Sequence, residues 1–146
     1  MNSQGMSFMT VLFLLIALSA TVVVGVMATM PTLQEERSTV TLKRMDVIRN
    51  AVVKYREQHG GASPANLDNL VTITGPACAV DINVASLNYK KLTGWCGPYI
   101  DRPIQQDPNS FKTDGWGTVF QYAPALLTSC GLNRTCGNGD DIALAL

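Results

Sequence analysis

The sequence predicts an α+β protein in which a long N-terminal α-helix packs against a small C-terminal antiparallel β-sheet. Three observations predict it. Phe8 to Met30 is an uncharged apolar run of 23 residues. Thr32 to His59 contains neither Pro nor Gly, and its apolar residues recur at helical spacing. The remaining 87 residues, from Gly60 to Leu146, are punctuated by turn residues and carry short alternating segments.

Composition narrows the function classes. Eleven Lys+Arg balance 11 Asp+Glu, so the 146-residue chain has a formal net charge of zero. A dedicated nucleic-acid binder would show a basic excess. Charged residues make up 15% and hydrophobic ones 47%, which excludes a wholly disordered chain. All charges lie from Glu35 onward, so a greasy stalk precedes a polar remainder.

The first element is the greasy run. As a helix its 23 residues span about 34 Å, enough to cross a ~30 Å hydrocarbon layer. The expectation is a single membrane-spanning helix, with Ser19, Thr21 and Gly25 permitting close helix–helix approach. A cleaved secretory signal is disfavoured, because the leader lacks Lys and Arg and the run exceeds a usual signal core. Orientation cues conflict. Arg37, Lys43 and Arg44 follow the span, which the positive-inside rule places in the cytoplasm. Cys78, Cys96, Cys130 and Cys136 instead favour an oxidising compartment.

The second element continues the helix in amphipathic form. Leu42, Met45, Ile48, Val52 and Tyr55 make one stripe, with Glu35, Arg37, Lys43, Arg44, Arg49 and Arg56 on the other sides. Gly60-Gly61 is the expected stop, and Pro31 the expected kink. In the remainder, Ala65–Val71 reads as a short helix. Thr118–Tyr122 and Ile142–Leu146 read as strands, and the GNGD stretch between them as a hairpin turn. The cysteine spacings lack the CxxC knuckles of structural zinc sites. Three disulfide pairings exist; Cys78–Cys96 with Cys130–Cys136 is preferred because both bridges close local loops.

Several motifs occur in a family's order. A short leader ends in Gly5, a hydrophobic helix follows, and an amphipathic helix ends at Tyr55-Arg56-Glu57-Gln58-His59-Gly60-Gly61, followed by Pro64 and Leu67-Asp68-Asn69-Leu70-Val71. Next come Gly94-Trp95-Cys96-Gly97-Pro98-Tyr99-Ile100 and the run Asp114 to Tyr122. Ser129-Cys130-Gly131 leads to Gly139-Asp140-Asp141-Ile142. In these features the chain resembles the type IV pilin-like superfamily, and most of all the type II secretion pseudopilins, with a major-pseudopilin-like head and an atypical N-terminus.

That resemblance implies a pilin fold and a structural filament subunit, not an enzyme. Its parts would be a leader at 1–5, a transmembrane and polymerisation helix at 6–31, an amphipathic continuation at 32–59 and a disulfide-stapled head at 60–146. A dedicated prepilin peptidase would cut between Gly5 and Met6 and methylate the new N-terminus. The protein would sit in the bacterial inner membrane with its head in the periplasm. Its partners would be membrane lipid, an inner-membrane assembly platform, copies of itself and other pilin-like subunits. Thr10 stands where the family carries a glutamate that neutralises a neighbour's terminal amine, which points to a minor or divergent subunit, an unprocessed one, or one in which Thr10 bonds the amine.

The resemblance also implies a calcium loop, for which Asp140, Asp141 and Asn133 are the candidate ligands. Asn133 replaces the usual acid, and a Cys130–Cys136 bridge closing the turn around a solvated Asp pair is the competing reading. His59 is the sole histidine and no nucleophile motif accompanies it, so catalysis is not expected. Trp95, Tyr99, Trp116, Phe120 and Tyr122 read as head core. Lys90-Lys91 is too short for a nucleic-acid patch. The alternative function is a non-polymerising, single-pass membrane protein that presents an extracytoplasmic binding head.

Overall fold

The computed structural model describes the backbone of residues 8–81, 91–100 and 109–146, and the side chains of these apart from 20–31 and 81. The leader, with Gly5 and Met6, lies outside the described residues. The chain divides into two units, Met1–Glu36 and Arg37–Leu146. Its elements are one α-helix, two short 3₁₀ turns and five short strands among the described residues.

Helix α1 covers Phe8–Gln58. Inside the second unit it buries Thr41, Met45, Ile48, Ala51, Val52 and Tyr55. Thr41, Met45, Ile48, Val52 and Tyr55 step by four and three, with Ala51 beside Val52, as an amphipathic face requires. The face opens on Thr41, which is 0% exposed, whereas the expected Leu42 is 49% exposed. A polar contact explains the exchange. The Gly115 N–H donates to Thr41 Oγ1 (2.8 Å), and the Thr41 hydroxyl donates to the Arg37 carbonyl (2.8 Å). A leucine could not satisfy that approaching N–H, and an unpaired buried donor costs about 1–3 kcal/mol.

The helix stops where the glycines stand. Gly60 and Gly61 have φ of 64° and 91°, and the Gly61 N–H returns to the Arg56 carbonyl (2.8 Å). Such a left-handed ending satisfies a carbonyl of the last turn. The expected helix at Ala65–Val71 is a four-residue 3₁₀ turn, Leu67–Leu70, capped by Asn66 and burying Leu67 and Leu70.

Two sheets replace the single one expected. Strands β1 (Ala79–Asp81) and β2 (Lys91–Thr93) pair antiparallel, with Val80 opposite Leu92. Strands β3 (Gln121–Ala123), β4 (Leu126–Ser129) and β5 (Ile142–Ala145) form an antiparallel meander. The strand expected at Thr118–Tyr122 begins three residues late. Thr118 is held back because its N–H donates to the Asp114 carboxylate (2.8 Å). The turn expected just before Ile142 links β4 to β5; the Leu-Leu-Thr-Ser sequence of β4 has no apolar–polar alternation, although its burial alternates, with Leu127 and Ser129 inward.

One hydrophobic core serves the second unit. Met45, Ile48, Ala51, Val52 and Tyr55 of α1 cluster with Leu67, Leu70, Ile100, Phe111, Phe120 and Leu127. The disulfides are Cys78–Cys96 and Cys130–Cys136, the two local pairs. The first closes the base of the β1–β2 hairpin beside the Ala77–Trp95 bridge.

The membrane expectation is corrected. Among the described residues, no helix is long and apolar enough to cross a membrane. From Glu35 the helix carries charge. The fold class is α+β with two small antiparallel sheets and, among the described residues, no helix that crosses a membrane. The single-pass placement in the bacterial inner membrane falls with it.

Candidate functional site

A chemically distinctive surface lies in the first unit. Phe8, Met9, Val11, Leu12, Phe13, Leu14, Leu15, Ile16 and Leu18 are all exposed, Phe8 at 79% and Phe13 at 71%. Consecutive positions lie about 100° apart around a helix, so this run is apolar on every side. Thr10 is exposed within it. Ser19 donates its hydroxyl to the Ile16 carbonyl (2.8 Å), so its polar group is satisfied locally.

The motifs of the second unit act as clasps. The Trp95 indole N–H donates to the Asn69 carbonyl (2.9 Å), and the Tyr99 N–H to the Leu70 carbonyl (2.8 Å). The Tyr99 hydroxyl donates to Gln58 Oε1 (2.7 Å) and accepts from the Cys96 N–H (3.0 Å). The segment from Gly94 to Ile100 thus ties the end of α1 to the 3₁₀ turn. Its Gly97–Pro98 bond is cis. His59 lies stacked on Tyr55 at 3.7 Å, with Nδ1 2.8 Å from the Tyr55 carbonyl. These contacts hold the ring at the end of α1. Trp95, Trp116, Phe120, Tyr99 and Tyr122 sit in or against the core.

Two phenols are perturbed. Burial pushes Tyr99 above the ordinary 10.0; the Cys96 N–H opposes this and Tyr55 adds to it. Burial likewise raises Tyr122, with Arg56 opposing and Tyr55 adding. Both favour the neutral hydroxyl, which Tyr122 donates to the Pro64 carbonyl (2.9 Å).

The main residue that sequence reading missed is Asp114, 1% exposed. One of its oxygens accepts from the N–H groups of Trp116 (2.9 Å) and Thr118 (2.8 Å), and the other from the Ser129 hydroxyl (2.7 Å). Arg44 reaches the Thr113 and Asp114 carbonyls at 2.8 and 3.0 Å. With Thr41, these groups pin α1 to the 113–118 turn. The Asp-Gly turn signal at 114–115 was visible; the burial of its acid was not.

The C-terminal loop gathers the three candidate calcium ligands without converging their oxygens. Asp140 accepts from the Asn133 backbone N–H (3.0 Å) and from Asn133 Nδ2 (2.8 Å). Asn133 Oδ1 is taken by the Thr135 N–H (2.7 Å). Asp141 accepts from the N–H groups of Gly137 (2.7 Å) and Asn138 (3.3 Å). The acids face different halves of the loop, and Asn133 offers Asp140 a donor, not an oxygen. This donor set does not fit a calcium ion, which needs six to eight oxygens aimed at one point. Among the described residues no group of three or more His, Cys, Asp or Glu gathers to hold a metal. The Cys130–Cys136 bridge closes the same loop.

An open groove of about 490 Å³ lies elsewhere, lined by Val53, Arg56, Glu57, Gly60, Gly61 and Lys91. Its guanidinium is already engaged: Arg56 donates to Ser63 Oγ (3.0 Å) and to the Pro124 carbonyl. It holds no nucleophile–base pair. Comparison with protein-family models, curated proteins and solved structures returned no match. The pilin-like resemblance therefore rests on the motifs of the chain itself.

Proposed function

We propose that this chain is a structural subunit of a pilin-like filament, and that it assembles through the apolar N-terminal part of α1. The observation that carries the reading is the run of exposed large apolar side chains from Phe8 to Leu18. Contiguous exposed apolar surface marks an interaction site. A helix apolar all round suits burial among several neighbours rather than against one face. The stalk of one copy placed among the stalks of others supplies that environment. Repeating the same heterologous contact yields an open helical fibre. The clasped, disulfide-stapled second unit supports the reading as a rigid outer body. The leader motif adds a processing step, with a prepilin peptidase cutting between Gly5 and Met6.

The test is assembly of the purified full chain. Phe13→Asp places an unpaired charge in the proposed seam, where desolvation is costly. Large sedimenting species and filaments in electron micrographs are expected for the parent chain and absent for the variant, with far-UV circular dichroism of the head retained. A parent chain that stays monomeric at all accessible concentrations overturns the proposal.

A further inference from the structure

The loop between β4 and β5 holds the only Asn-Gly pair in the sequence, Asn138-Gly139. Both residues are exposed. A Cβ built on Gly139 would meet nothing within 4 Å, so nothing crowds that side of its backbone. Among the described residues nothing accepts from the Gly139 N–H, whereas the N–H groups of Asn138 and Asp140 are both taken. Asn138 itself is held in place. Its Nδ2 donates to the Thr135 carbonyl (2.6 Å) and its Oδ1 accepts from the Asp140 N–H (3.4 Å).

We propose that Asn138 is a site of spontaneous covalent modification by deamidation, with Gly139 as the internal nucleophile. Asparagine is among the thermolabile residues. A following residue without a side chain leaves its amide nitrogen free to reach the Asn carbonyl carbon. The Gly139 nitrogen bonds to Asn138 Cγ while the Cγ–Nδ2 bond breaks. The proton on the Gly139 nitrogen is given up to solvent base, and Nδ2 gains one and leaves as ammonia. Water then adds across either carbonyl of the cyclic imide and opens it, to aspartate or to isoaspartate. The product lacks the Nδ2 donor, so the bond to the Thr135 carbonyl is lost. It also adds a negative charge beside Asp140 and Asp141, in a chain whose formal net charge is zero. The modification loosens the loop that the Cys130–Cys136 bridge and the Asp140–Asn133 pair hold closed.

The full oxidised chain is incubated in mildly alkaline buffer, then reduced, digested and mapped by mass spectrometry that resolves aspartyl from isoaspartyl peptides. Gly139→Ala is the control variant. Its Cβ has room, and Gly139 is not in the left-handed region, so the variant folds. Asn138 is expected to convert before every other asparagine, with isoaspartate as the main product, and Gly139→Ala to slow this several-fold at unchanged melting temperature. An Asn138 that converts no faster than Asn109, a Gly139→Ala chain that converts at the parent rate, or conversion only after unfolding would each overturn the proposal.

Discussion

Asp114 shows how much a single buried carboxylate organises. It collects N–H groups from its own turn and the hydroxyl of Ser129 on β4, so it joins two segments that hydrophobic contact alone would leave free to slide. Asp114→Ala leaves two backbone donors and one hydroxyl without partners, and should cost about 2–3 kcal/mol in chemical denaturation. Thr41→Val keeps the volume but orphans the Gly115 N–H, and should cost about 1–2 kcal/mol. Gly115 is needed for closeness rather than backbone freedom, since a Cβ there would collide with the Arg37 carbonyl oxygen. At high pH the tyrosines take over. Tyr99 and Tyr122 ionise less readily folded than unfolded, so the folded chain holds their protons longer. Their contribution is complete below the ordinary 10.0 and is lost as pH rises past it. Stability measured across that range should fall, and Tyr122→Phe should flatten the fall.

At the scale of elements, the strands are three or four residues long and cannot stand alone. The bridges offset that shortness. Cys78 and Cys96 are 18 positions apart, and a loop of this size gains about 3 kcal/mol in the chain-entropy model. Replacing both by alanine should lower the melting midpoint while leaving the β3–β5 meander protected in hydrogen exchange, because that sheet takes its burial from Leu127 and Phe120. Replacing Cys130 and Cys136 should instead loosen the 131–141 loop. Added calcium should leave the melting temperature of the parent chain unchanged, since Asp140 accepts from Asn133 and Asp141 from the Gly137 N–H, and among the described residues no three acidic, His or Cys side chains gather to hold a metal. A calcium-dependent rise would mean that the loop rearranges to bind.

Taken as a whole molecule, burial and the proposed assembly surface belong to different parts of the chain. Every described residue of the hydrophobic core lies in the Arg37–Leu146 unit, from Met45 onward. A chain beginning at Thr32 should therefore keep the parent's melting temperature and its near-UV circular dichroism. It should also lose any self-association, because Phe8 to Leu18 are gone. A shortened chain that unfolds would show that the first unit stabilises the second. One that still assembles would move the contact to the head, where Leu42, Val47 and Val53 are exposed on α1.

Local rules carried the sequence a fair distance. The stripe from Met45 to Tyr55, the glycine stop, the last strand and the local cysteine pairs follow from spacing and backbone preference. Those depend only on neighbours along the chain. The same local rules failed at Leu42, where a buried threonine was needed for an N–H arriving from Gly115, and at Thr118, which Asp114 withholds from the strand. The calcium loop was implied by the resemblance and not by local rules; in the structure Asp140 accepts from Asn133, and the Cys130–Cys136 bridge closes the same loop. The membrane span was read from hydropathy along residues 8–30, and the structure does not support it. By itself, then, the sequence determined where the chain could be apolar, where it must turn and which faces could be buried. Only tertiary structure decided which polar atoms meet inside, because a buried donor must find its acceptor in three dimensions and sequence distance does not say which one arrives.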